Sequence, residues 1–128
     1  MVDDTNEFFI QLLSLCHRFT EVKDISFAEM LVGTGYLERY DEVSMEAIVP
    51  IIKENPSYVD DWIEYSENKR ANRGWYIKPE SSQYEVGCIE KRGEKHLRFF
   101  SKEEDACAYF IVNELADIRA QLLNQLAP

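Results

Sequence analysis

At Gly74 the spacing of apolar residues changes. Before it, hydrophobic side chains recur every three or four positions, as one face of a helix requires. From Trp75 to Phe100, aromatic and β-branched residues fall in short runs, and after Ser101 the helical spacing returns. Three such regimes in this order predict an α+β fold with a helical N-terminal half, a small three-stranded antiparallel sheet and a long C-terminal helix packed on it. No repeat, linker or low-complexity stretch interrupts residues 1–128, so they read as a single domain. A chain of 128 residues can bury roughly two thirds of its unfolded surface without disulfides or metal.

The helical half divides at capping residues. Phe8, Phe9, Leu12, Leu13, Leu15, Cys16 and Phe19 share one arc between residues 5 and 20, with Gln11, Ser14, His17 and Arg18 opposite, which predicts one amphipathic helix capped by Asp3, Asp4 or Thr5. Ser26-Phe27-Ala28-Glu29 is a capping box that opens a second helix, ended by Gly33 and Gly35. A third helix follows Ser44. It contains Pro50, so it is either kinked there or begins late enough to hold Pro50 in its first turn. After Asn55-Pro56 a fourth places Tyr58, Val59, Trp62, Ile63 and Tyr65 on one side and Asp60, Asp61, Glu64, Glu67 and Asn68 on the other.

Beyond Gly74, Trp75–Ile77, Gln83–Ile89 and Lys95–Phe100 read as strands, with Glu90–Glu94 a polar link and Gly87 a candidate bulge. Ser101 and Glu104 form a further capping box. In the helix that follows, Cys107, Ala108, Ile111, Val112, Leu115, Ile118 and Leu122 face the core, and Glu114, Asp117, Gln121 and Asn124 lie across from them.

Catalytic motifs are missing from this sequence. Nucleotide-binding glycine loops, GxSxG and HExxH are absent, and the two histidines are far apart in sequence. Cys16 and His17 project about 100° apart on a helix, so they are not expected to converge on a metal or to form a nucleophile–base pair. His17 and His96 are expected to face solvent. Cys16, Cys88 and Cys107 are an odd count without a CxxC pair, which fits free thiols in a reducing cytoplasm. The acidic N-terminus lacks the basic region of a secretory signal, and no apolar run approaches the ~20 residues of a membrane span. The expectation is a cytoplasmic protein that is not an enzyme, needs no cofactor or metal and does not enter membranes.

Charge narrows the class of partner. Residues 1–67 carry 15 acids and 4 bases, 68–100 carry 4 and 8, and 101–128 carry 5 and 2, for a net charge of −10. Most of this surface repels phosphate and attracts a basic protein, so direct nucleic-acid binding is not expected. The run from Asn68 to Lys78 is the exception. Its bases and aromatics could stack on single-stranded RNA, but they also suit a helix C-terminus (Arg70, Arg73) leading into a strand (Trp75, Tyr76), and the second reading is preferred.

Several short pieces resemble the small immunity proteins of bacterial polymorphic-toxin and contact-dependent growth-inhibition systems. They are Asn55-Pro56 with Trp62 and Tyr65, Lys69-Arg70, Gly74-Trp75-Tyr76, Tyr84-Glu85-Val86-Gly87, and Phe100-Ser101 leading into Ala106–Ile111, which together span about residues 55–118. The resemblance implies a cytoplasmic, non-enzymatic inhibitor that binds a cognate toxin domain, often a basic nuclease, and blocks its active site. It transfers no interface residues. The alternative is another intracellular interaction or adaptor module. Charge density alone selects the expected docking surface: Asp60, Asp61, Glu64 and Glu67 on the fourth helix, with Glu38, Asp41 and Glu42 before it.

Overall fold

The computed structural model describes residues 4–22, 24–68, 74–89 and 95–126. Its helices are α1 (Asp4–Leu13), α2 (Leu15–Glu21), α3 (Phe27–Gly33), α4 (Tyr36–Arg39), α5 (Met45–Glu54), α6 (Ser57–Asn68) and α7 (Glu103–Leu126), with a 3-10 turn at Tyr40–Glu42. Its strands are β1 (Gly74–Glu80), β2 (Gln83–Ile89) and β3 (Lys95–Phe100). They pair antiparallel in the order β1-β2-β3, so the expected α+β meander is the observed one. Asp3, Lys69–Arg73 and Glu90–Glu94 lie outside the described residues, as does the side chain of His96.

The expected first helix is two. Leu13 ends α1 and Leu15 begins α2, and the carbonyls near the break bond elsewhere: Leu13 O accepts from the Trp62 indole at 3.0 Å, and Gln11 O accepts from Arg18 Nη2 at 2.6 Å and from the Ser14 hydroxyl at 3.3 Å. A carbonyl turned toward a side-chain donor tilts off the helix axis, which bends the chain here.

Ser26 caps as expected, accepting from the Glu29 amide at 3.1 Å, and Ser44 caps the next helix by accepting from the Ala47 amide at 3.2 Å. The Ser26 hydroxyl also donates to the Glu29 carboxylate. Helix α5 runs through Pro50, whose ring faces solvent. Helix α7 starts one residue later than the Ser101 box predicts, because Lys102 O receives the first helical bond, from Ala106 N. Gly35, at φ +88°, turns the chain from α3 into α4, a segment too short to leave a periodic signature in the sequence.

Helices α6 and α7 lie over the sheet, and α5 packs behind them against α7. The core joins Leu12, Leu13, Leu15, Leu31, Ile48, Ile52, Val59 and Trp62 of the helical half to Ile77 and Val86 of the sheet and Phe110, Ile111 and Leu115 of α7. Ser66 accepts the Ile77 amide at 2.9 Å, which ties the β1 edge to α6. On the open face Gly87 pairs regularly with Tyr76 and Leu97, so it is not a bulge. A Cβ there would stand 2.6 Å from the Tyr76 hydroxyl, so a side chain at position 87 would displace Tyr76 and Leu97, which close over Gly87.

Glu114 corrects the reading of α7. It is buried at 3% exposure and accepts the Tyr65 hydroxyl at 2.7 Å. The polar side expected there is covered because α7 packs on helices as well as on the sheet, which widens its buried arc.

Candidate functional site

The two acidic groups foreseen from the sequence sit in different surroundings. Glu38, Asp41 and Glu42 belong to α4 and the 3-10 turn, held in place by Arg39 over the Phe8 ring and Arg119 over the Tyr40 ring. Arg39 also forms a bidentate pair with Glu42, at 2.7 and 2.9 Å, which holds the Glu42 carboxyl below its usual value. Part of this cluster is therefore already neutralised.

The carboxylates of α6 are not. Asp60, Glu64 and Glu67 recur at one-turn spacing and are exposed, while Asp61 is half-buried. None of the four forms an ion pair with a described residue. Burial raises the Asp61 carboxyl, His17 opposes the rise, and Asp60 and Glu64 add to it. Two further acids join them from the start of α7. Burial of the Tyr84 hydroxyl raises its pKa first, and Glu103, Asp60 and Glu104 all raise it further. Sequence reasoning assigned Glu103 and Glu104 no role beyond the helix start, since only the sheet brings the α7 N-terminus beside α6.

Between α2 and α6 lies a cavity of about 490 Å³, lined by Cys16, His17, Phe19, Thr20, Asp61, Glu64, Tyr65 and Asn68. Helical periodicity builds both walls. Asp61, Glu64, Tyr65 and Asn68 occupy one stripe of α6, and Cys16, His17, Phe19 and Thr20 face them from α2. The break at Ser14 sets the direction of the α2 wall. Cys16 and His17 both line this one cavity. Burial pushes the Cys16 thiol far up, and Asp61, Cys107 and Glu114 add to the rise, so it holds its proton. Exposed His17 pairs with Glu21 at 3.3 Å.

The rings of the site are fixed. Phe27 stacks on Tyr65 with centroids 4.6 Å apart and meets Phe19 edge-on at 5.6 Å. Burial, reinforced by Glu114, drives the Tyr65 hydroxyl far above its normal pKa, so it stays protonated and donates to Glu114. Among the described residues no three His, Cys, Asp or Glu side chains are grouped to hold a metal ion, and no helix is long and apolar enough to cross a membrane.

The described part of the basic run is built into the fold. Trp75 meets Tyr109 edge-on at 5.8 Å, Tyr76 donates to Glu85, and Lys78 pairs with Glu80 at 3.1 Å. No protein-family model, characterised protein or solved structure matches the chain.

Proposed function

We propose that this protein binds a basic protein domain through the carboxylate face of α6, and that its partner is a toxin domain whose active site it occludes. One observation carries the binding reading: Asp60, Asp61, Glu64 and Glu67 share a helix face without an ion-pair partner among the described residues. Like charges held together repel one another, and a cationic partner relieves that repulsion while being steered toward the face. The toxin-neutralising role rests on the resemblance to immunity proteins and fits an inhibitor that works by covering a surface. The pair Asp60→Lys and Glu67→Lys tests the proposal. Affinity for a basic toxin domain that the wild-type protein neutralises should fall at least tenfold, its salt dependence should flatten, and co-expression should no longer rescue poisoned cells. Wild-type affinity and wild-type salt dependence in a folded double variant would place the docking surface elsewhere.

A further inference from the structure

We propose that the cavity between α2 and α6 receives a guanidinium group, presented as an arginine side chain by the partner protein. The proposal rests on the binding reading above and names the chemistry that the partner brings to this face.

The lining selects the charge of the occupant. Asp61 and Glu64 stand on one wall, and no lysine or arginine lines the cavity among the described residues. Arg18, the nearest cation on α2, is engaged by the Gln11 carbonyl and the Ser14 hydroxyl. An anion entering here would meet two carboxylates with only His17, itself paired with Glu21, to oppose them, whereas a cation would offset the cost of their partial desolvation.

The hydrogen-bond inventory selects donors over acceptors. The Tyr65 proton is committed to Glu114, so Tyr65 offers the cavity no donor. With the carboxylates of Asp61 and Glu64 and the side-chain carbonyl of Asn68, the α6 wall presents acceptors at successive turns. Guanidinium carries five N–H donors and no acceptor, so it matches this wall, and its fork can bond a carboxylate at two points.

The rings select a flat cation over a compact one. Phe19 and Tyr65 line the cavity, and Phe27 fixes both. A guanidinium plane stacks on such a ring, while an ammonium group acts as a strongly hydrated point charge. A cavity of about 490 Å³ is far larger than one side chain, and it leaves room for the flanking peptide of a loop.

The test uses the intact protein with three blocked tripeptides, acetyl-Ala-Xaa-Ala-amide, in which Xaa is arginine, lysine or citrulline. Amide chemical shifts are followed by NMR as each peptide is titrated to ~50 mM. The arginine peptide should shift Cys16–Thr20 and Asp61–Asn68 with saturation, the lysine peptide should bind at least fivefold more weakly, and the neutral citrulline peptide should leave these amides unmoved. Asp61→Asn with Glu64→Gln should weaken arginine binding at least tenfold, whereas Glu38→Gln with Asp41→Asn should not change it. Equal binding of lysine or citrulline, shifts confined to another surface, or no saturable shift would each overturn the assignment. Because no toxin is needed, failure here would leave the Asp60→Lys and Glu67→Lys result to stand or fall separately.

Discussion

The indole nitrogen of Trp62 donates a 3.0 Å hydrogen bond to the carbonyl oxygen of Leu13, 49 positions earlier in the chain. Both residues are fully buried. The bond fixes α6 against the α1–α2 break and thereby sets the distance between the two cavity walls.

Trp62→Phe removes that donor while keeping an aromatic ring. A buried carbonyl left unpaired costs about 1 to 3 kcal/mol, and the lost ring volume adds to this. Trp62→Ala should cost about 3 to 5 kcal/mol. Urea unfolding measures both, and a Phe variant as stable as wild type would show that the bond contributes nothing.

Gly87→Ala should destabilise the sheet by about 1 to 3 kcal/mol, as overpacking does. The new methyl would fall 2.6 Å from the Tyr76 hydroxyl and 2.9 Å from Leu97 Cδ2, and moving Tyr76 aside breaks its bond to Glu85. In a Tyr76→Ala background the same substitution should cost less, by more than ~0.5 kcal/mol, the coupling expected of residues in contact. Equal costs in the two backgrounds would show that Tyr76 is not what excludes a side chain at position 87.

Tyr65→Phe deprives the buried Glu114 carboxylate of a donor and should cost about 1 to 3 kcal/mol. Glu114→Leu in that background should recover part of the loss, because it removes the buried carboxylate left short of a donor. Denaturant melts of the wild type, the single and the double variant decide it. A double variant less stable than Tyr65→Phe would contradict the account.

Asp61→Asn should stabilise the free protein at neutral pH even as it weakens cation binding. Burial raises the folded-state pKa of Asp61 above the unfolded value, so the native chain holds this proton more tightly. The charged group therefore opposes folding above its folded pKa, and the opposition disappears below the unfolded value of about 3.9. Thermal melts should show a higher Tm for the variant at pH 7 and equal Tm values at pH 3. A variant less stable than wild type at pH 7 would reverse the sign.

Features set by neighbours in sequence were legible, and features set by contacts across the chain were not. Ser26 and Ser44 cap helices through amides three residues away, so a four-residue pattern suffices. The strands and the buried positions of Trp62 and Leu115 follow from local periodicity in the same way. At the break the Leu13 carbonyl bonds Trp62, and buried Glu114 bonds Tyr65, each partner 49 residues distant. The acidic stripe on α6 was readable as a helix face. The cavity was not, since half of its lining belongs to α2 and only tertiary packing sets the two helices side by side.

Helix α7 follows every other element in sequence, yet it packs against α5, α6 and all three strands. On a ribosome this fold would therefore be assembled late. The helical half and the meander can each form local structure as they emerge, but the surfaces of Ile48, Val59 and Val86 have no shared interior until Phe110, Ile111 and Leu115 have left the exit tunnel. Nascent chains arrested with residues up to 101 exposed should be cleaved quickly by protease, and chains exposed through 126 should resist. Protection in the shorter chains would mean that the rest of the molecule folds before α7 arrives.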